Sequence, residues 1–195
     1  MTTQNQTITK IADTFSINAI YARRLFHTAS KEHMFEDIEK LLEEKPKPFV
    51  KWVGGKRQLL KQFRDLGLYP PEDFDPITNT YFEPFVGGGA VFFDLLPETA
   101  YLSDLNNELV TTYNVIKNDV ENLIKSLKKH KLDKEYFLKI RAQNPEKLSD
   151  LNIASRFIYL NRTCFNGMYR VNSKGGFNVP FGKYTNPLIC DENNL

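Results

Sequence analysis

The chain has 195 residues, enough for one sizeable domain with a small appendage, and its 41% hydrophobic and 26% charged residues are ordinary for a globular protein. A net charge of +2 does not by itself imply nucleic acid, and the two cysteines, Cys164 and Cys190, show neither metal-ligand spacing nor a disulfide framework. The first fifteen residues are polar and no apolar run has the length of a membrane span, so a cytoplasmic location is expected, with no membrane contact and no metal.

Residues 1–48 read as a helical extension ending in a linker. Thr9–Phe15 and Asn18–Thr28 carry apolar residues at helical spacing, and Ile8, Ile11, Ala12, Phe15, Ile17 and Leu25 can form a small core. The stretch Ile8–Phe26 has the outline of a helix-turn-helix: Ala12 where the helices would touch, Ser16 in the turn, and Arg23 and Arg24 on the second helix. A plain helical hairpin explains the same pattern, and Ser16 stands where such turns more often have glycine. Lys31–Glu44 reads as a third helix, with Met34, Phe35, Ile38, Leu41 and Leu42 on one side. Glu44–Pro48 (EKPKP) cannot continue it.

Residues 49–109 hold two glycine turns. FVKWVGGKRQLL (Phe49–Leu60) carries Trp52, a glycine pair and Lys56, followed by a helix from about Arg57 to Leu66. In YFEPFVGGGAVFFDL (Tyr81–Leu95) a strand-like start at Tyr81 and Phe82 meets Gly87, Gly88 and Gly89, and a helix begins after Ala90. Glycine permits a sharp turn and close approach of a ligand, and free N–H groups at a helix start favour polar or anionic groups. A tight turn between packed elements has the same signature. Ala100–Ser103 then reads as a short strand with Asp104 at its end, 17 residues beyond Gly87. An acidic residue there is where nucleotide folds hold a ribose, because a carboxylate accepts two hydrogen bonds at once. Asp104 is equally placed to cap a helix beginning near Asn106.

KWVGGK, FEPFVGGGAVF and LSDLNNEL, in this order and spacing, resemble the S-adenosylmethionine-binding motifs of Dam-type DNA adenine-N6 methyltransferases. The resemblance implies that Trp52 and Lys56 help to hold the cofactor, that Phe85, Val86, Gly87 and Gly89 line its methionine side, and that Asp104 takes the ribose hydroxyls.

Residues 110–187 read as a target-recognition region. Helices are expected at Leu109–Leu127, Tyr136–Ala142 and Ile153–Leu160, and the lysine-rich stretch 125–134 as a solvated face. Between Leu151 and Cys190 there are five Arg or Lys (Arg156, Arg162, Arg170, Lys174, Lys183) and no acidic residue. Such a placed charge suits phosphates. Phe157, Tyr159, Phe165, Tyr169, Phe177, Phe181 and Tyr184 interleave it, and Asn161, Asn166, Asn172 and Asn178 offer the donors and acceptors used to read base edges. NSKGG (Asn172–Gly176) reads as a turn joining two strands of a hairpin. A basic loop over an aromatic core fits the composition equally well.

YLNRTCFNGMYRVN and GGFNVPFGKY resemble the recognition region of the same family. The resemblance implies double-stranded DNA as partner. By position, Phe165 matches an aromatic that enters the base stack and Asn166 its hydrogen-bonding neighbour. Arg170 matches a reader of guanine, and Met168 and Pro180 match apolar contacts to a thymine. Arg162, Asn172 and Lys174 complete the expected DNA-binding set. Family members with this pattern modify GATC; here Phe165 and Met168 stand where Tyr and Leu are common.

Adenine N6 is a poor nucleophile, and in the resembled family a flipped base donates to the Asp of an Asp-Pro-Pro-Tyr motif. The only Pro-Pro pair here is Pro70–Pro71, ahead of the glycine loop and without an acidic neighbour before it, so no catalytic residue is assigned. Residues 188–195 read as a truncated end. The expectation is an α/β fold: an incomplete Rossmann-like S-adenosylmethionine-dependent methyltransferase, with a helical and hairpin DNA-recognition insert and an N-terminal helical extension. It is expected to be an inactive fragment or one part of a split enzyme whose second chain carries the catalytic motif. The alternative is a non-catalytic DNA-binding protein.

Overall fold

The structure is a computed structural model that describes residues 4–15, 19–30, 32–43 and 45–195, with the backbone alone for 5, 15, 19–21, 23, 24, 42 and 43. It divides into two compact units: residues 1–47, 56–84 and 90–102 form one, and residues 48–55, 85–89 and 103–195 the other.

The first unit begins with three helices, α1 (Gln4–Phe15), α2 (Ala19–Thr28) and α3 (Met34–Glu43). Ile8, Ile11, Ala22, Leu25 and Ile38 are buried together, with Ala12, Met34 and Leu41 against them. Ala12 is thus at a helix contact, as its size suggests. The turn expected at Ser16, the core role of Ile17 and the side chains of Phe15, Arg23, Arg24 and Leu42 lie outside the described residues. Phe35 is not part of that core: it is exposed, with the Lys10 ammonium 5.3 Å from its ring centre.

Helix α4 (Arg57–Asp65) follows in this unit, then strand β1 (Thr80–Glu83), the single-turn helix α5 (Phe92–Leu95) and strand β2 (Thr99–Leu102). The strands are parallel, with Thr80 opposite Thr99 and Glu83 opposite Leu102. Parallel strands need a crossover rather than a hairpin, and the chain between them supplies one. The helix expected from Ala90 is only one turn long, because Leu96 adopts φ 48° and Pro97 follows. Phe82 and Tyr101 stack on the outer face of this sheet, centroids 5.1 Å apart, and both are largely exposed. Asp94 accepts hydrogen bonds from Arg64 and, at 2.8 Å, from the Tyr69 hydroxyl.

The second unit is built on α6 (Asn107–Leu127), α7 (Lys134–Arg141) and α8 (Asp150–Thr163). Each start is capped by a short polar side chain: Asn106 accepts from Leu109 N–H at 3.1 Å, Asp133 from Tyr136 at 2.7 Å and Ser149 from Asn152 at 3.4 Å. Asp104 is therefore not the cap of α6. Helix α6 breaks its geometry at Asp119, with φ −149° and ψ 42°. Helix α8 runs three residues beyond the expected Leu160, so Asn161 and Arg162 are helical rather than loop residues.

After α8 the chain folds back on the helices. Phe137, Ile140, Tyr159, Leu160, Cys164, Phe177 and Val179 form one core, with Met168, Tyr169, Phe181 and Ile189 packed on it. The expected turn at Asn172–Gly176 is present: Asn172 N–H donates to Gly176 O at 2.9 Å, Asn178 N–H to Arg170 O at 3.0 Å, and Val171 pairs antiparallel with Phe177. Helices and a small parallel sheet make this a mixed α/β protein, a composition compatible with the S-adenosylmethionine-dependent methyltransferase fold. No described helix is long and apolar enough to cross a membrane.

Candidate functional site

The second unit brings together Trp52, the glycine loop and Asp104. Val86 N–H donates to Ser103 O at 3.0 Å, and Gly87 N–H donates to Asp104 Oδ2 at 3.0 Å. The other carboxylate oxygen, Oδ1, accepts Asn106 N–H at 3.0 Å. Tyr113 on α6 closes the ring by donating its hydroxyl to Gly87 O at 3.2 Å.

Gly87 is required for two reasons. Its φ of +50° lies in the left-handed region, and an added Cβ would sit 2.7 Å from Cδ1 of Trp52. A Cβ on Gly88 would lie 3.1 Å from Cβ of Trp52. The indole thus fills the space beneath the loop. Its other neighbours are the rings of Tyr169, stacked at 5.7 Å, and Phe157 at 6.2 Å. Lys56 belongs to the other unit, where its ammonium is 3.6 Å from the buried Glu83 carboxylate.

Each Asp104 oxygen accepts one backbone N–H, which leaves each a second lone pair for a ligand hydroxyl. Leu105, the next residue, is 92% exposed, and Phe85 is 70% exposed. A carboxylate with acceptor capacity to spare, with an exposed apolar side chain on its own loop (Leu105) and another on the glycine loop (Phe85), could hold the ribose and base of an adenosine-containing cofactor. Leu105 was not foreseen from the sequence; the signal available was its position directly after the acidic residue.

The residues expected to contact DNA divide by exposure. Phe165 is half exposed on a short 3-10 turn (Phe165–Gly167) in which Asn166 takes φ 54°, a left-handed conformation that Asn tolerates. Asn166, Arg170, Asn172, Lys174 and Pro180 are exposed, and Met168 is half-buried. Arg170 donates from Nε to Asn178 Oδ1 at 2.7 Å. Asn172 Oδ1 accepts the N–H groups of Lys174 and Gly176, so its carbonyl holds the hairpin turn. Arg162 is half-buried, and its Nη2 donates to Phe49 O at 2.7 Å.

Two residues of the basic stretch face inward and correct its compositional reading. Arg156 is 2% exposed; it donates to Glu108 Oε2 at 2.6 Å and to the carbonyls of Ile140 and Arg141. Burial pulls its pKa down and the Glu108 carboxylate opposes the shift. This cation is spent inside the fold and does not face phosphates. Asn161, also 2% exposed, binds backbone groups and reads no base edge. Of the aromatics, Phe157, Tyr159 and Phe177 are core. The charge that remains outward is that of Arg170, Lys174 and Lys183. Among the described residues no cluster of His, Cys, Asp and Glu suits a metal ion.

A model of the family described as D12 class N6 adenine-specific DNA methyltransferase matches residues 52–195. The chain is 45% identical over 152 residues to a type II methyltransferase, M1.LlaDCHI, of Lactococcus lactis subsp. cremoris, covering 75% of this chain and 51% of that protein. It is 44% identical over 165 residues to the type II methyltransferase M.MjaIII of Methanocaldococcus jannaschii, covering 76% and 56%. A DNA adenine methylase of Vibrio cholerae is 37% identical over 153 residues, covering 76% and 52%. The chain thus spans about half the length of the curated relatives it matches.

Proposed function

The chain belongs to the D12 class N6 adenine-specific DNA methyltransferase family, and from that premise we propose that its residues form the cofactor-binding and DNA-recognising part of an adenine-N6 methyltransferase. S-adenosylmethionine would supply an electrophilic methyl group. Asp104 accepts its ribose hydroxyls, the loop of Phe85, Val86, Gly87 and Gly89 lines its methionine side, and Trp52 supports that loop from below. Lys56 is assigned to the cofactor by resemblance and by the positive charge it offers a carboxylate. The observation that carries the reading is Asp104, held by Gly87 and Asn106 N–H groups with an acceptor site left on each oxygen.

Double-stranded DNA is the proposed partner. Phe165 enters the base stack, Asn166 bonds the opened pair, Arg170 reads a guanine, and Met168 and Pro180 meet a thymine methyl, with GATC as target. Asn172 and Lys174 shape and charge the hairpin. For Arg162, the bond to Phe49 supports a role in placing residues 49–52 as well as any reach to phosphate. The finer architecture proposed is a Rossmann-like methyltransferase sheet carrying residues 110–187 as the recognition insert and 1–48 as an extension.

These 195 residues hold no Asp-Pro-Pro-Tyr. The acceptor for the adenine amino group is therefore proposed to come from residues outside them, in a longer chain or a second one, and the chain alone is proposed not to turn over. Isothermal titration with S-adenosylhomocysteine and fluorescence anisotropy with GATC and scrambled duplexes test this. Binding of both ligands with a GATC preference is expected. Duplex binding without cofactor binding would leave a non-catalytic DNA-binding protein; equal affinity for both duplexes would remove the GATC assignment. Methyl transfer by the chain alone would overturn the claim of no turnover.

A further inference from the structure

Residues 49–52 pass between the glycine loop and the recognition turn without belonging to a strand. Backbone groups removed from water outside regular structure still need hydrogen-bond partners, often side chains. At Lys51 one side chain supplies both. Asn161, in the last turn of α8, accepts Lys51 N–H on Oδ1 at 2.9 Å and donates from Nδ2 to Lys51 O at 2.8 Å. The same Nδ2 donates its second hydrogen to Gly167 O at 2.8 Å. Both donors and one acceptor of the amide are thus used, two of the three bonds on the segment and one on the turn.

What lies at either end of these bonds gives them consequence. Lys51 precedes Trp52, the ring that fills the space under Gly87 and Gly88. Gly167 closes the turn that presents Phe165 and Asn166, and Tyr169, two residues on, stacks against Trp52. The contact at the turn is tight: a Cβ on Gly167, whose φ is +63°, would lie 2.5 Å from Cδ of Lys51. Asn161 itself is buried and reaches neither the exposed edge of Asp104 nor the hairpin.

We propose that Asn161 is a positioning residue whose buried amide fixes the Trp52 support of the glycine loop and the Phe165–Gly167 turn in one arrangement, so that cofactor and DNA binding both depend on it. The inference rests on the functional reading above. A second consequence follows from the Trp52–Tyr169 stack: DNA seated on the turn alters the surroundings of Trp52 even without cofactor.

Trp52 is the single tryptophan of the chain, so its emission reports this junction directly. The test uses the purified chain and its Asn161→Ala and Asn161→Ser variants. Readouts are S-adenosylhomocysteine titration, duplex anisotropy, tryptophan emission and urea unfolding. Where circular dichroism shows a variant folded, Asn161→Ala is expected to weaken both ligands at least tenfold and to shift Trp52 emission to the red, with Asn161→Ser intermediate. A merely structural role would lower the unfolding midpoint and leave both affinities of the folded variant within twofold, which would overturn the proposal. If both variants unfold, the unaltered chain decides it: saturating duplex alone is expected to change Trp52 emission, and unchanged emission with duplex bound by anisotropy overturns it. An unaltered chain that binds neither ligand removes the functional reading instead.

Discussion

Asn178 Oδ1 accepts the Nε–H of Arg170 at 2.7 Å, on the exposed hairpin that follows the Phe165–Gly167 turn. The bond fixes one edge of a planar guanidinium whose Nη2 also leans toward Asn178 O at 3.5 Å. An arginine reads guanine with two parallel N–H groups, so orientation matters as much as charge. Arg170→Ala is expected to cost about 1–3 kcal/mol in discrimination between cognate and scrambled duplexes. Asn178→Ala, which keeps the cation and frees its orientation, should lose part of that preference and little nonspecific affinity. Competition anisotropy at fixed salt measures both; an equal loss on the two duplexes in Arg170→Ala would mean a phosphate contact only.

Asp104 carries two loads, the N–H groups of Gly87 and Asn106 and the proposed ribose. Hydrogen bonds to a charged group contribute about 1.5–3 kcal/mol, so Asp104→Ala should weaken S-adenosylhomocysteine at least tenfold. Asp104→Asn keeps the shape but turns one acceptor into a donor that faces an N–H, and should fall between. Calorimetric titration is the measurement, with duplex affinity as the control that the hairpin is intact.

The Arg156–Glu108 pair is the buried ion pair of the second unit, with side-chain exposures of 3% and 13%. Tyr169 donates its hydroxyl to the other Glu108 oxygen at 2.8 Å. Removing one partner of such a pair leaves a buried charge, a loss of about 3–5 kcal/mol. Glu108→Leu should therefore move the urea midpoint down sharply. Adding Arg156→Met to it is expected to recover much of the loss, since neither charge is then stranded. Tyr169→Phe removes the hydroxyl's bond to Glu108 without stranding a charge and should cost about 1 kcal/mol.

His130 is stacked on Tyr159 at 4.3 Å, with its ring nitrogens 2.9 Å from the Tyr136 hydroxyl and the Ser155 hydroxyl. Burial pushes its pKa down to about 4. The unfolded chain, with an ordinary histidine near 6.5, then binds more protons than the folded one between those values. Its stabilising effect is complete above pH 6.5 and is lost as pH falls toward 4. The shift corresponds to at most about 3 kcal/mol, and less because the ring is not fully enclosed. Urea unfolding at pH 7.5, 6 and 5 should show a steeper decline in the unaltered chain than in His130→Phe.

Local chemistry made much of the fold legible. Tyr81 and Phe82 are in β1, AYLS overlaps β2, and the helices beginning at Arg57 and ending at Leu127 start or stop as their periodicity indicates. Each of these signals depends on neighbours within a few residues. Where the competition is between polar residues two positions apart, pattern was not enough: Asp104 and Asn106 both suit a cap, and the direction of each side chain assigned the cap to Asn106 and the glycine loop to Asp104.

The sequence by itself determined the family, through motifs whose order and spacing survive without any structure, and it determined which stretch carries basic and aromatic residues. Only the tertiary structure decided which of those residues face out. Arg156 meets Glu108 from 48 residues away, and Asn161 meets Lys51 from 110. A buried charge or amide must find its partner wherever the chain brings one, and composition counts such a residue identically whether it is spent inside or offered to DNA.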